Sequence, residues 1–514
     1  MPEDLPSLKK LAIRSCRKLI ISVQNFPLLS ELEIHGCHEV IYKGFVDYSS
    51  IKIISFVGIS KFSWAAECLR LRSTKVESFE IGDCEELCSS RENNWGLLTQ
   101  SMSPQYLRIE KCPQLVSIAT EEEREELMQL KIPSSIVTMT IRNCERLERL
   151  STTLYSLTLL MKLLLNGCPK LVSVVRSNLP SNLKVLWISF CKNLQCVLLD
   201  EGEAVDSNNA CVLQKLNIVS CESLKRINRS VLPSTLKTLQ IHQCPKLESI
   251  SQEIQDNSSL ESIEIYRCDM LKGLPQGLNK LKHFTSLYIS NCSNLISLAE
   301  SGLPTTNLEV LRFSSCRSLQ ALPGNMHSLN ALKGLAIWNC PNVESILEGG
   351  IPTNLTSLSI GGPKIWKAIL ERDLHALTCL KSLSISNGCP NAVSFPQDEK
   401  GVTLPSSLTS LFISDFPKLE NLSSNGFRNL TSLQCLIIEN CPNLKTLPGN
   451  NMLSLQCLTI ENCPNLKSLP GNNMLSSLFE LEIRGCPMME ERCKRGKGPE
   501  WSKITHIPRV AVRE

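Results

Sequence analysis

One short string, L-x-x-L-x-I-x-x-C, recurs along almost the whole chain. Residues 8–16 read LKKLAIRSC, residues 236–244 read LKTLQIHQC and residues 433–441 read LQCLIIENC. The string occurs 20 times in the 514 residues, and 17 copies end in Cys. From Cys244 to Cys340 the closing cysteines follow one another at a spacing of 24 residues. This regularity argues against a series of unrelated globular domains and predicts a repeat architecture.

The residue that closes the string indicates the kind of repeat. A repeat of about 20–29 residues with Asn or Cys at this position is typical of leucine-rich repeats. Ile59, Pro363 and Phe416 replace the Cys in three copies, and the Cys389 copy has one extra residue before it. The other closing cysteines are Cys16, Cys37, Cys84, Cys112, Cys144, Cys168, Cys191, Cys221, Cys244, Cys268, Cys292, Cys316, Cys340, Cys441, Cys463 and Cys486.

Each copy predicts a strand followed by a short return segment. The stretch x-L-x-I-x alternates apolar and variable residues, so Leu and Ile face a core and the x residues face outward. The residues that follow, such as CPNLKTLP at 441–448, are few and Pro-rich, which predicts irregular or 3₁₀ segments with occasional helical turns. A single repeat cannot bury its apolar face, whereas a stack buries a continuous core. We therefore predict an α/β solenoid, a leucine-rich-repeat horseshoe whose parallel sheet forms the concave face.

The repeats extend over most of the chain. We predict one repeat domain over residues 1–488, irregular at 38–131 and regular at 212–488. A basic tail at 489–514 follows it, because the string stops after Cys486.

Two features interrupt this regularity. Segments 433–452 and 455–474 match at 18 of 20 positions, which indicates a duplication. Two polar insertions, Glu121 to Leu130 and Asp200 to Asn209, are interpreted as solvated loops, and a contact for a partner domain is the alternative.

Cysteine usage favours a reducing compartment. The chain has 25 cysteines, an odd number, and most of them occupy the closing position. Because no C-x-x-C pair occurs, we predict buried free thiols and no metal. The N-terminus MPEDLPSLKKL has acidic residues where a signal peptide is basic, and no apolar run approaches the ~18–20 residues of a membrane span. The expectation is a soluble, cytoplasmic chain without a membrane partner.

The motifs of catalysis and cofactor binding are missing from the sequence. It contains no G-x-x-x-x-G-K-[ST], G-x-G-x-x-G, H-E-x-x-H or G-x-S-x-G, and its seven histidines are scattered over different repeats. The formal net charge of +4 does not supply the concentrated basic surface that nucleic acid requires. We predict that the chain is not an enzyme, has no cofactor and does not bind nucleic acid.

A broad sheet face instead favours protein binding, and its exposed positions can be read from the alternation. Interfaces are enriched in Trp, Tyr and Arg, so such residues at outward strand positions are the candidates. Packing of the rings across neighbouring strands is the alternative reading for each of them. The candidate partner-binding residues on the concave face are Trp187, Tyr266, Tyr288, Arg312, Trp338, Phe412, Arg142, His242 and Arg267.

The extended string L-x-x-L-x-I-x-x-C-P-x-L-x-S-L-P, with variants such as LPSTLKTL at 232–239, carries a family resemblance. It resembles the C-terminal repeat region of plant intracellular disease-resistance proteins of the coiled-coil, nucleotide-binding, leucine-rich-repeat class. The ending is similar too, in Arg492-Cys493, Gly496-Lys-Gly, Trp501, Ile504 and His506-Ile-Pro508.

This resemblance implies a protein-binding repeat domain in plant defence. Such a domain senses pathogen effectors or guarded host proteins and restrains a nucleotide-binding switch domain. The sequence holds no coiled coil and no phosphate loop, so we expect either a truncated gene model, with the switch domain in cis, or a detached module that acts in trans. The alternatives are a substrate-recruiting repeat subunit of a ubiquitin ligase and a generic repeat scaffold or inhibitor. Only seven residues precede Leu8, where a ligase subunit would carry a helical adaptor-binding motif.

Overall fold

The computed structural model describes residues 6–22, 26–43, 50–64, 76–84, 103–119, 129–150, 152–176, 179–199, 212–229, 231–298, 302–343, 350–370, 374–388, 390–396, 403–448, 453–470 and 475–513. The chain forms two compact units, Met1–Leu260 with Glu264–Pro275 and Glu261–Ile263 with Gln276–Glu514. Both units are built from the same repeat, where the sequence suggested one long domain. The predicted boundaries 1–488 and 489–514 stay predictions.

Every copy of the string forms a five-residue strand. Those of the first unit are Lys10–Arg14, Glu31–His35, Ile53–Val57, Ser78–Gly82, Tyr106–Glu110, Thr138–Arg142, Lys162–Asn166, Val185–Ser189, Lys215–Val219 and Thr238–His242. Those of the second unit are Ser286–Ser290, Val310–Ser314, Gly334–Trp338, Ser357–Gly361, Ser382–Ser386, Ser410–Ser414, Cys435–Glu439, Cys457–Glu461 and Glu480–Arg484. The strand Ser262–Tyr266 has residues in both units.

Within each unit, neighbouring strands run parallel and pair in register. Leu11 lies opposite Leu32 in the first unit, and Leu436 lies opposite Leu458 in the second. The predicted leucine-rich-repeat solenoid is therefore confirmed. We number the five residues of each strand as positions 1 to 5, and call the side that carries positions 1, 3 and 5 the outward face.

Positions 2 and 4 build the core, as the alternation predicts. Leu436 and Ile438, at these positions of one strand, are both fully buried. The outward neighbours Cys435, Ile437 and Glu439 are half-buried, which gives the burial pattern its period of two. Burial of about one Leu and one Ile per strand stabilises the stack by roughly 1.5–3 kcal/mol for each side chain.

The residue after each strand turns the chain. It has a positive φ in all twenty copies, between 49° and 67° except for Gly362 at 118°. Its N–H donates to the position 5 carbonyl of the next strand, as Asn440 does to Glu461 at 3.0 Å. Gly, Asn, Asp and Ser dominate this position because they adopt a left-handed backbone most easily.

The closing cysteines lie directly beneath this turn. Each one that the structure describes donates its thiol to the position 5 carbonyl of its own strand, as Cys441 does to Glu439 at 3.3 Å. All of them are buried except the half-buried Cys16, and all are free thiols. They behave as small apolar groups that also cap a carbonyl. Cys389 lies outside the described residues.

The return segments contain more structure than the sequence predicted. They hold the expected 3₁₀ segments Thr152–Ser156, Leu278–Lys280, Met326–Ser328 and Leu374–Ala376. They also form short parallel strands that the sequence analysis missed: Lys18–Ser22, Glu39–Lys43, Lys61–Trp64, Ser117–Ala119, Gln129–Lys131, Arg149–Leu150, Ser173–Val175, Cys196–Leu199, Ser394–Phe395 and Asn421–Leu422. Most of these strands pair with the equivalent segments of neighbouring repeats, because stacking of the repeats also aligns their backbones. Gln129–Lys131 pairs instead with Ser117–Ala119 of its own repeat.

One copy closes its strand with a helix. Pro363 stands where a closing Cys is expected, yet it is exposed and begins the helix Pro363–Leu370. Trp366 fills the core instead, with its ring centroid 5.6 Å from that of Phe395. Phe416 does replace the Cys in the core of its own copy, as Ile59 does. Pro363 thus takes the closing position without entering the core, because proline at the first helical position favours a helix here.

The segment after Cys486 continues the sheet. The helices Pro487–Arg492 and Trp501–Ile504 lead to the strand Arg509–Arg513, which pairs in parallel with Glu480–Arg484. The carboxylate of the buried Glu500 forms ion pairs with Arg492 at 3.1 Å and with Lys503 at 2.7 Å. The predicted basic tail thus adds one more strand to the second unit.

Candidate protein-interaction face

The structure places the predicted candidates on or beside the outward face. At position 3 of their strands lie Trp187, Tyr288, Arg312 and Phe412, and at position 5 lie Arg142, His242, Tyr266 and Trp338. Arg267 differs, because it is the turn residue after its strand and has a φ of 54°. Arg267 therefore lies beside the outward strand positions, since the chain turns directly after position 5.

Four side chains of the first unit form one polar and aromatic cluster. The rings of His242 and Tyr266 meet edge to face, with centroids 6.2 Å apart. The guanidinium carbon of Arg267 lies 5.0 Å from the Tyr266 centroid. His242 Nε2 lies 3.4 Å from the carboxylate of Glu264, although the two are not aligned as a hydrogen bond. The turn residue thus reaches back over the strand that precedes it.

A chain of hydrogen bonds supports this cluster. The amide of Asn217 donates to Gln240 at 3.0 Å, and the amide of Gln240 donates to Glu264 at 2.9 Å. All three occupy position 3 of their strands. Such a chain orients the Glu264 carboxylate before any ligand arrives. The sequence analysis missed these residues, although polar residues at three successive position 3 sites were a readable signal.

Two candidates of the second unit also touch. Arg312 lies opposite Tyr288 on the neighbouring strand, and its guanidinium carbon is 5.4 Å from the Tyr288 ring centroid. This cation–π contact holds both side chains on the outward face. Arg142, Trp187 and Phe412 are not brought into these clusters by the structure.

Trp338 borders a pocket in the second unit. The pocket has a volume of about 410 Å³, and its other walls come from the Gly361–Gly362–Pro363 turn, Ser386 and Asp415. A Cβ at Gly361 would lie 3.1 Å from the Asn339 backbone nitrogen and 3.4 Å from the Trp338 ring. The space therefore depends on glycine beside the indole.

Phe190 is a surface residue that the sequence analysis missed. It occupies the turn position with a φ of 55°, and more than half of its side chain is exposed. Among the twenty turn residues it is the only aromatic one. A bulky side chain in this backbone region carries strain of order 1–3 kcal/mol. Trp187, in the same repeat, is 40% exposed, so the two rings present apolar surface on one repeat.

Charges on the outward face are paired in one region and unpaired in another. In the first unit, Lys10 contacts Glu33 at 2.7 Å and Glu31 at 3.1 Å. The hydrogen bond from Lys10 holds the pKa of Glu33 below its usual range. Such exposed pairs contribute little to stability.

In the second unit, Glu439 and Glu461 lie opposite each other on neighbouring strands. Among the residues that the structure describes, no cation lies within ion-pair distance of either carboxylate. Burial raises the pKa of Glu439, and the charges of Glu461 and Asp415 add to this effect. These carboxylates thus repel one another across the sheet.

The described part of the chain offers neither a metal-binding cluster nor a membrane-spanning helix. Within it, no group of three or more His, Cys, Asp or Glu side chains could hold a metal ion. No helix there has the length and apolar character needed to cross a membrane.

Comparison with known proteins gives a distant relative. The chain is 25% identical, over 290 residues, to the Arabidopsis thaliana protein named "Putative disease resistance protein At4g19050". The match covers 53% of this chain and 23% of that protein, so the chain spans about a quarter of its relative's length. No protein-family model matches the chain.

Solved structures resemble the chain only loosely. The crystal structure of a TLR13–ssRNA13 complex has 16% identity and a TM-score of 0.42, covering 97% of this chain and 78% of that one. The circular leucine-rich-repeat protein CroV588 has 16% identity and a TM-score of 0.37, covering 90% and 82%. The fold assignment therefore rests on the strands of this chain.

Proposed function

We propose that this leucine-rich-repeat protein binds proteins through its outward face and acts in plant defence. In this role it senses a pathogen effector or a guarded host protein and restrains a nucleotide-binding switch domain, in cis or in trans. The observation that carries the protein-binding part is the set of aromatic and arginine side chains held in place on this face.

Two clusters supply that observation. Tyr266 is contacted by His242 and Arg267, and Tyr288 is contacted by Arg312. Rigid aromatic and arginine side chains lose little conformational entropy on binding, which is why they dominate interface energetics. The defence part is supported by the repeat and tail resemblance and by the partial similarity to the Arabidopsis thaliana protein.

A capture experiment tests the protein-binding part. The tagged protein is expressed in plant tissue, with and without pathogen challenge, and bound proteins are quantified by mass spectrometry. The face variant combines Trp187→Ala, Tyr288→Ala and Trp338→Ala. The matched control combines Tyr155→Ala, Leu159→Ala and Leu453→Ala, which remove exposed apolar side chains outside the strands.

We expect the face variant to lose a specific partner by about tenfold or more, because truncating central anchors costs about 1–4 kcal/mol each. The control variant should retain that partner. Equal capture by both variants would contradict binding through the outward face. Recovery of partners unrelated to defence or to nucleotide-binding domains would contradict the defence role.

A further inference from the structure

The pocket beside Trp338 offers an aromatic wall and a carboxylate to the same space. Its volume of about 410 Å³ exceeds what one side chain needs. Trp338 is half-buried on one side, and Asp415 lines the other. Both residues belong to the second unit.

Small residues around Trp338 keep this space open. At position 5 its neighbours along the sheet are Ser314, Gly361, Ser386 and Ser414. Gly362 then turns the chain away into the helix Pro363–Leu370, with its N–H bonded to the Ser386 carbonyl at 2.9 Å. The neighbours of the indole are thus too small to fill the pocket.

The Asp415 carboxylate is fixed by three hydrogen bonds. Its Oδ2 accepts from the hydroxyls of Ser386 at 2.7 Å and Ser414 at 3.0 Å, and its Oδ1 accepts from the Asn440 amide at 3.1 Å. A carboxylate offers about four lone-pair sites, so capacity for one more donor remains. The Asp415 carboxylate is therefore already oriented before a ligand binds.

The charge around the pocket favours a cationic ligand. The lining holds one cation, Lys364, in the first turn of the helix, and one anion, Asp415. Glu439 and Glu461 follow Asp415 on the next two strands and add two negative charges without a cationic partner among the described residues. Arg484 lies opposite Glu461 on the following strand, but its guanidinium contacts Glu482 at 2.5 Å and stays outside ion-pair distance of Glu461.

We propose that this surface, from Trp338 across Asp415 to Glu461, binds an extended basic segment of a protein partner. One arginine of that segment stacks its guanidinium on the Trp338 indole and donates to Asp415. Further basic side chains lie against Glu439 and Glu461. The inference rests on the proposed protein-binding function and names the chemistry of the partner.

The spacing of the surface suits such a segment. Neighbouring strands lie about 4.8 Å apart, so Ser414, Glu439 and Glu461 mark successive steps of that size across the sheet, and Asp415 directly follows Ser414. Alternate side chains of an extended peptide lie about 6.6 Å apart on one face. A peptide with arginine at every second residue, laid obliquely across the strands, brings a cation near each carboxylate.

Peptide binding to the full chain tests the inference. The probe is a fluorescein-labelled peptide that alternates Gly and Arg, with an alternating Gly and Glu peptide as the charge-reversed probe. Fluorescence anisotropy is measured at low and physiological ionic strength for the wild type and for Trp338→Ala, Glu439→Gln and Glu461→Gln. Glu420→Gln is the matched control, because it removes the same charge from a half-buried carboxylate that Lys445 already contacts at 2.6 Å.

We expect the Arg peptide to bind and the Glu peptide not to bind. Trp338→Ala should weaken binding about tenfold, and Glu439→Gln and Glu461→Gln about three- to tenfold each. Glu420→Gln should change it less than about twofold. The two glutamine variants are isosteric at half-buried sites, so they test the inference even if Trp338→Ala alters the fold.

Two results would overturn the inference. One is absence of Arg peptide binding to the wild type, and the other is an equal loss for Glu420→Gln and the Glu439 and Glu461 variants. Partner capture by the wild type in the plant experiment would leave the proposed function standing in either case. Conversely, Arg peptide binding that follows the expected pattern, without any captured partner, would count against the proposed function alone.

Discussion

Strands of the same kind end in two different ways in this chain. One way is found in the duplicated segments 433–452 and 455–474, and the other follows the strand Ser357–Gly361. In the duplicated segments, Cys441 and Cys463 are buried under the turn and cap the last strand carbonyl. In the Ser357 copy, a Gly-Gly-Pro turn leads into a helix, and Trp366 fills the core.

The two kinds of turn share the same core and differ at the outward face. Both kinds of turn leave the inward Leu and Ile buried and the strands in register. In the Cys turn, the buried thiol donates to the last strand carbonyl. The Gly-Gly-Pro turn removes side chains beside Trp338 and so creates the pocket. Repeats with unusual turns are therefore where a binding surface can depart from the regular pattern.

The largest expected effect comes from placing a charge in the regular core. Ile438→Asp should unfold the second unit, because a buried and unpaired carboxylate costs several kcal/mol. Ile437→Asp is the control, since Ile437 lies at position 3 of the same strand and faces outward. The midpoint of denaturant unfolding is measured for both variants. A small shift for Ile438→Asp would contradict the assigned strand register.

Truncating the core of each kind of repeat should have the next largest effect. Trp366→Ala should destabilise by about 3–5 kcal/mol and Leu436→Ala by about 2–5 kcal/mol, because both side chains are buried and leave cavities. Cys463→Ala removes one sulfur atom and should cost much less. The free energy of unfolding from denaturant titration gives the comparison. If Trp366→Ala cost less than Cys463→Ala, the helix would not replace the closing Cys as we describe.

The smallest expected effect on stability is that of Trp338→Ala. The side chain is half-buried on the outward face, so the free energy of unfolding should change by less than about 1 kcal/mol. Partner binding should weaken at the same time. Thermal unfolding and the capture experiment measure the two effects separately. A variant that unfolds would show that Trp338 is a core residue and that the outward face is misassigned here.

The regular part of the fold could be predicted from the sequence because its signal repeats. Twenty copies fix which residues alternate, and Leu436, Ile438 and Cys441 lie where the string predicts. The helix at Pro363 was not predicted, although Ile365, Trp366 and Ile369 have helical spacing, because the string identifies Pro363 only as a substitute for the closing Cys.

The remaining differences depend on three-dimensional contacts. The strand Arg509–Arg513 has no copy of the string, and only its pairing with Glu480–Arg484 reveals it. The aromatic and arginine candidates could be assigned to the outward face, but the contacts of Tyr266 with His242 and Arg267 could not. These contacts join residues of adjacent strands and turns, whose side-chain directions the alternation leaves open. The predicted polar insertions at Glu121 to Leu130 and Asp200 to Asn209 fall mostly outside the described residues.

Thiol accessibility in the native protein tests the central claim most directly. Burial raises the pKa of Cys84 to about 11, so this thiol is shielded and holds little reactive thiolate near neutral pH. The protein is alkylated in a time course at neutral pH, and each cysteine is quantified by mass spectrometry. We predict that the exposed Cys379 reacts first and the half-buried Cys435 next. The buried closing cysteines should react only when the protein unfolds, and their alkylation at the rate of Cys379 would contradict the repeat core described above.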